Sequence, residues 1–382
     1  MEQCSSQMTA EYKTSSVVRL RGKEPETRDE TARSGNRDGD DIQFIDLTGG
    51  FGIDFSYMAR AFGHATYVER QPHLCEIARH NFDLLGLNHV DVVCDMAEKF
   101  LEEQMEPGLI PSHTAHPVIC FLDPARRDDV GRKVAALEDC TPNVIELQDR
   151  LLKVASRIIL KLSPMLDITQ ALRQLKNVSE VHVVSVKGEC KEVLIVMQGT
   201  AKLPSPTPKG ESTEDEAQAI RYHCVNLDTE DAPFVCTKVK PANVTILPHP
   251  SGLLEGSSKP GSPFLFEPNA SILKAGVQDY LCEHYDIEKL HPTSNLFVGG
   301  QAIPSFPGRQ FVIEAIGDFS KSGIKQVLGG IKQANLTIRN FPTTVAELRK
   351  RLKLKEGGNV YLFATTLSDG GHALIRCRKA EG

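Results

Sequence analysis

The chain has 382 residues, 40 % of them apolar and 25 % charged, which is enough to build a real core in two or three modules and excludes an unfolded polyelectrolyte. Its net charge of −6 excludes a uniformly basic surface, but the balance is uneven: from Gly300 onward 13 Lys+Arg face 6 Asp+Glu, a local +7 that leaves −13 for residues 1–299. No apolar run approaches the roughly eighteen residues that span a bilayer, and the opening "MEQCSSQMTAEYK" lacks the regions of a signal peptide, so a soluble, cytoplasmic protein with no membrane contact is expected.

Residues 14–41 are polar and charge-rich and read as a lead-in, with order expected to begin near Ile42. From there apolar runs alternate with segments of helical period: "IQFIDL" then "FSYMARAF", "ATYVE" then "CEIARHNFDLLG", "VDVVC" then "AEKFLEEQ", "VICFLD" then "NVIELQDRLLKVA", and finally "RIILKL". Strands that are apolar throughout, separated by amphipathic helices, predict a parallel sheet covered on both faces, that is, a doubly wound, Rossmann-like α/β domain. "EVHVVSV" and "EVLIVMQG" are joined only by "KGECK", too short for a parallel crossover, and predict an antiparallel hairpin at the sheet edge. Residues 202–218, rich in Pro, Ser and acid, read as a linker. Two small α+β blocks follow, around "FLFEPNASILKAGVQDYLCEHY" and from "RQFVIEAI" onward, the second with a basic helix "TVAELRKRLKL" and the strands "NVYLFATTL" and "HALIRCR". The ten cysteines are dispersed without a CxxC pair, and "HTAH" at His113–His116 has no third ligand in sight, so neither a disulfide framework nor a metal site is expected.

The first strand ends in "DLTGGFGID", residues 46–54. A strand, a glycine loop, a helix and then Glu69 outline a dinucleotide site. Two details oppose it: Phe55 occupies the position of the third small residue, and Asp46 and Asp54 would repel a pyrophosphate. S-adenosylmethionine, which has no phosphate and carries a sulfonium and an ammonium, reverses that electrostatic argument. With Asp46, Thr48, Gly50 and Gly52 at two-residue spacing, the loop resembles the first motif of class I methyltransferases, D-x-[GT]-x-G-x-G. Asp46, Thr48, Gly49, Gly50, Gly52 and Asp54 are the expected cofactor loop; Glu69 and Asp95, ending the second and third strands, are expected at the ribose and the adenine. Asp54 serves equally well as a partner of the helix dipole, and Asp95 as a helix cap.

The fourth strand ends in "CFLDPARRD", at the rim where open α/β sheets bind ligands. Amino-methyltransferases acting on bases carry [DN]-P-P-[YFW] there, and Asp123 and Pro124 match while Ala125 and Arg126 do not. Asp123, Pro124 and Arg126 are the candidates for orienting the target, Arg126 by stacking or by holding a phosphate. "LDPAR" also resembles ribosomal RNA uridine-5-methyltransferases, which need a thiolate in "SCNP"; here the next strand ends "KLSPMLD", so that chemistry requires Cys140 or Cys190 instead. Lys161 in this run reads equally as catalytic or as the structural partner of a carboxylate.

Taken together, "EQCSSQMTAEYK", "DLTGGFGIDFSYMA", "YVERQPHLCEIARHNF", "LDPARRD", "KLSPMLDI", "ECKE", "FLFEPNASILKAG", "FPGRQF" and "QANLTIRNFP" resemble a bacterial family of class I methyltransferases with a ferredoxin-like segment and a C-terminal THUMP-like domain. Members of that family carry a further helical segment before the equivalent of "EQCSS". The resemblance implies a lead-in over 1–41, a methyltransferase domain over 42–244, a ferredoxin-like segment over 245–307 and a THUMP-like domain over 308–382. It implies methyl transfer from S-adenosylmethionine; its THUMP-like part points to RNA, and the match of Asp123 and Pro124 to the amino-methyltransferase motif points to a base nitrogen as the target. Methylation of a protein or small molecule, and RNA binding without catalysis, remain the rival readings.

Overall fold

β1 (Gln43–Asp46) buries Phe44, Ile45 and Asp46 in succession, as a strand covered on both faces must. It pairs in parallel with β2 (His64–Val68) and β4 (Val118–Leu122), and these in turn pair in parallel with β3 (Val90–Val93) and β5 (Arg157–Leu162). The C-terminal ends of all five strands therefore lie along one edge. β7 (Glu189–Gln198) runs antiparallel to β5 and is joined to β6 (Val178–Val186) by Lys187 and Gly188, both at positive φ (50° and 80°), the two-residue turn that suits a twisted hairpin. The order is β3-β2-β1-β4-β5-β7-β6, the doubly wound sheet that the alternation of elements predicts.

The computed structural model describes residues 5–18, 42–104, 117–125, 137–200, 219–238, 241–247 and 263–380. The chain divides into two units, Met1–Val184 with Lys191–Arg221, and Ser185–Cys190 with Tyr222–Gly382. Among the described residues no helix is long and apolar enough to cross a membrane. The linker at 202–218 and "HTAH" lie outside the described residues.

Helices cover the first sheet. The helix Pro72–Leu84 starts with proline at its first turn, where the missing N–H costs no hydrogen bond, and buries Leu74, Cys75, Ala78 and Phe82. The helix Val144–Val154 is capped by Asn143, whose side chain accepts the Ile145 N–H, and buries Val144, Leu147, Leu151 and Leu152 along one stripe. One expectation is corrected: order does not begin near Ile42. α1 (Gln7–Tyr12), capped by Ser6, continues into a π-helical turn over Lys13–Val18, and Ala10, Lys13, Val17 and Val18 are buried. A six-residue helix is too short to announce itself by periodicity or to stand alone; packing holds it.

The second unit carries β8 (Ile220–Leu227), apart from its first two residues, and β9 (Phe234–Lys238). It then builds a seven-stranded sheet from β10 (Phe264–Pro268), β11 (Glu288–Lys289), β12 (Phe297–Gly299), β13 (Gly308–Asp318), β14 (Asn335–Arg339), β15 (Val360–Thr366) and β16 (His372–Lys379), in the order β11-β12-β10-β13-β16-β15-β14. The two expected small blocks thus share one sheet: β10 pairs with β13, Phe266 opposite Gln310. Leu265, Leu290 and Leu296 pack in one cluster with Phe311, Phe363 and Ile375. Long-range pairing of this kind leaves no trace in local periodicity. On the other face, helices over Lys321–Leu328 and Val345–Leu352 cover Leu336, Leu362 and Leu374. The basic helix stops at Leu352, where Lys353 takes the left-handed cap.

Candidate active site

The ends of the first five strands set the chemistry. Asp46 is only 2 % exposed, and burial pushes its carboxyl up to about 8, against the Thr48 N–H that donates to Oδ1 at 2.9 Å; Asp54 and Asp123 nearby add to the rise. The Thr48 hydroxyl lies 3.4 Å from the same oxygen and accepts the Asp123 N–H at 2.6 Å, which ties the end of β4 to the loop after β1.

The glycine loop rests on an aromatic floor. Phe55 fills the position that a dinucleotide fingerprint gives to a small residue, 5.5 Å from the Tyr67 ring and 5.1 Å from that of Phe82. A Cβ on Gly49 would stand 2.1 Å from Tyr67, and one on Gly52, where φ is +74°, would stand 2.9 Å from Phe82. The glycines are thus required by close approach of the backbone to the floor. The Tyr67 hydroxyl donates to the Gly50 carbonyl, and the Gly50 N–H donates to Glu69 Oε2 at 3.0 Å.

Glu69, 7 % exposed, directly follows β2 and accepts the Gln71 N–H through Oε1 at 2.9 Å. Both its oxygens are thereby oriented by backbone donors; Oε1 also accepts the Gln71 side-chain amide at 3.3 Å, and Oε2 keeps a second lone pair. Asp95 lies two residues past β3. Its side chain accepts the Met96 N–H at 2.8 Å and meets Lys99 at 2.9 Å; Lys99 and that N–H hold its carboxyl below the ordinary range. These are the contacts of a residue shaping a helix start, compatible with a further ligand on the exposed side.

Asp123 follows β4 with its side chain 40 % exposed, and Pro124 beside it is buried. Ala125 exchanges backbone hydrogen bonds with Thr141 at 2.8 and 3.0 Å, which fixes the turn; Arg126 lies outside the described residues. Lys161 on β5 places Nζ 2.7 Å from Asp123 Oδ2 and 3.0 Å from Asp54 Oδ2. Burial alone would favour the neutral amine, but Asp123, Asp54 and Glu192 outweigh it and keep the lysine charged. Asp54, 9 % exposed, is held below the ordinary carboxylate range by Lys13 and Lys161 although burial opposes them. Its charge is therefore balanced from within the protein. Of the two thiols open for C5 chemistry, Cys140 is buried and Cys190 belongs to the second unit.

Sequence reading gave no role to Lys13 or Glu192. Lys13 is fully buried, its Nζ 2.7 and 2.8 Å from the two oxygens of Glu192 and 3.1 Å from Asp54 Oδ1. Glu192 is 3 % exposed near the start of β7, where the antiparallel register sets its neighbour Val193 opposite Leu162. An acid set directly before the apolar run Val193–Met197 was the available signal, because a buried charge needs a partner.

A Rossmann-like sheet with acids at its strand ends and a glycine loop after the first strand defines a class I methyltransferase fold. Residues 308–379 match a family described as THUMP domain-like, and residues 264–307 one described as a ferredoxin-like domain. A crystal structure from Porphyromonas gingivalis W83, described as a "putative methyltransferase", is similar over all of this chain and 82 % of its own, at 32 % identity and a TM-score of 0.75. The chain belongs to this family, class I methyltransferases that carry a ferredoxin-like segment and a THUMP-like domain. An rRNA methylase from Streptococcus thermophilus covers 42 % of this chain and 88 % of its own at 12 % identity and a TM-score of 0.31. An O-methyltransferase from Bacillus cereus, in complex with SAH, covers 51 % and 83 % at 14 % identity and a TM-score of 0.35. No curated protein matches the chain.

Proposed function

We propose that the chain transfers a methyl group from S-adenosylmethionine to a base nitrogen of structured RNA. The observation that carries this reading is the convergence of Asp46, Glu69, Asp95 and Asp123 at one edge of a parallel sheet, around a loop whose Gly49, Gly50 and Gly52 leave its backbone bare. Carboxylates suit a cationic, phosphate-free ligand and repel a dinucleotide. S-adenosylmethionine, when bound, supplies an electrophilic methyl group on a positively charged sulfur. Asp46, Thr48, Gly49, Gly50, Gly52 and Asp54 would form its loop, with Glu69 for the ribose hydroxyls and Asp95 for the adenine. Because two lysines already balance Asp54, that residue shapes the wall and leaves the cation to Asp46. Asp123 would accept a hydrogen bond from the target nitrogen as positive charge develops there, with Pro124 and Arg126 orienting the ring or its phosphate. RNA as the substrate is supported by the THUMP domain-like match and by the basic excess after Gly300.

The test is tritium transfer from labelled cofactor into fractionated RNA and protein of a deletion strain, with and without RNase. RNase-sensitive label supports this reading. Label in protein, or cofactor binding without any transfer, moves it to one of the rivals. In calorimetry the chain is expected to bind S-adenosylmethionine and not NAD, and Glu69→Ala to weaken binding by about 1.5–3 kcal/mol through lost charge-assisted hydrogen bonds. An indifferent Glu69→Ala counts against the cofactor assignment.

Cofactor affinity is also expected to depend on pH through Asp46. With its carboxyl at about 8 in the free protein, Asp46 is protonated at neutral pH, and a cationic ligand favours its ionised form. Binding then releases a proton, so affinity rises with pH, by up to about tenfold per pH unit, and levels off above about 8. Calorimetry from pH 6 to 9 in buffers of different ionisation heat reads both effects, and a flat profile would remove Asp46 from contact with the cation.

A further inference from the structure

We infer that Lys13 is a positioning residue for Asp123, acting through Asp54 and Lys161, and that the N-terminal helix is part of the working site. This rests on Asp123 being the group that receives the target, as proposed above. Two sequence motifs without a role in that proposal, "EQCSSQMTAEYK" and "ECKE", meet here: Lys13 of the first pairs with Glu192 of the second, 179 positions apart. The charges then alternate in a buried row. Glu192 faces Lys13 at 2.7 Å, Lys13 faces Asp54 at 3.1 Å, Asp54 faces Lys161 at 3.0 Å, and Lys161 faces Asp123 at 2.7 Å. The Ser5 hydroxyl donates to Asp54 Oδ2 at 2.8 Å and accepts from Lys13 at 3.1 Å, closing the row at its inner end.

The row has a direction. Asp123, at the outer end, has its side chain 40 % exposed, whereas those of Lys13, Glu192, Asp54 and Lys161 are no more than 10 % exposed. Two lysines hold three carboxylates at a net charge of −1. Without Lys13, Lys161 alone faces all three, and the two most buried acids, Glu192 and Asp54, draw it inward because charge is least screened there. Asp123 then loses the partner that sets its orientation. A purely mechanical role for Lys13, fastening the segment, predicts something else. The segment has other fastenings, the Tyr12 hydroxyl 2.8 Å from His182 Nδ1 and the buried Ala10, Val17 and Val18, so loss of one ion pair does not by itself release it.

The experiment is a double-mutant cycle in the full chain between Lys13→Met and Asp123→Asn, with Lys13→Arg as the conservative variant. Three quantities are read: melting temperature, the single-turnover rate of tritium transfer into RNA of the deletion strain, and the steady-state KM for S-adenosylmethionine. Lys13→Met is expected to lower the rate about tenfold or more, with the KM for S-adenosylmethionine within about threefold of wild type. In the Asp123→Asn background it is expected to change the rate less than about twofold and to lower the melting temperature less than in wild type, since Lys161 is then undivided. Lys13→Arg should restore most of the rate. Rate losses that multiply, together with an equal fall in melting temperature in both backgrounds, overturn the inference. If the wild-type chain transfers no methyl group to RNA, the proposed function fails, and the melting-temperature cycle still decides whether Lys13 and Asp123 are coupled.

Discussion

Asp123→Ala is expected to slow single-turnover methyl transfer about a hundredfold or more while cofactor affinity stays near wild type, because the interaction lost is one felt fully only in the transition state. The side chain is 40 % exposed at the sheet edge, and among the described residues it pairs with Lys161, which keeps Asp54 when Asp123 is gone. Folding should therefore suffer little. Asp123→Asn keeps the shape and an acceptor oxygen but removes the charge, and should fall between alanine and wild type. The discriminating measurement pairs melting temperature with single-turnover rate for both variants, alongside Cys140→Ser and Cys190→Ser. Full activity in Asp123→Ala would sink the assigned role. Inactivity of either cysteine variant, with an adduct trapped on 5-fluorouridine RNA, would transfer the chemistry to carbon 5.

The second large effect concerns Lys161. Lys161→Met should destabilise the first unit by about 3–5 kcal/mol, because it removes the cation that the buried Asp54 and the adjacent Asp123 share and leaves them as like charges, with Lys13 still paired to Asp54. Urea denaturation reads the loss directly. Adding Asp54→Asn to Lys161→Met should recover a large part of it, since the buried charge is then gone. A loss below about 1 kcal/mol for the single variant would show that the pair contributes no more than a surface ion pair does.

The strand ends were legible in the sequence because each is a local event: a largely apolar run of four or five residues stops at Asp46, Glu69 or Asp123, and the acid marks both the end of the strand and a charge in need of a purpose. The glycine loop was legible for the same reason, although its physical cause, the Tyr67 and Phe82 rings beneath Gly49 and Gly52, requires three elements to meet. The lysine row was not legible. Lys13 sits in a six-residue helix and its π-helical extension, with no apolar stripe to betray burial, and its partner lies on β7. Only Glu192, heading the apolar "VLIVMQ", hinted that a cation would have to arrive from elsewhere. The second unit repeats this pattern at larger scale. Its strands and helices follow from local periodicity, whereas the joining of two family segments in one sheet follows from the pairing of β10 with β13 alone.

That shared sheet has a bearing on biosynthesis. Its latest strand in chain order, β16, lies between β13 and β15 and pairs antiparallel with both. During translation β13 and β15 emerge first, each with a hydrogen-bonding edge bared and with Phe311 and Phe363 uncovered, and neither edge is closed until His372–Lys379 has left the ribosome. The sheet of the second unit can thus close only after residue 379 has been made. A nascent chain stalled before residue 372 presents two sticky β-edges, the state in which a chaperone that binds extended apolar segments has most to do.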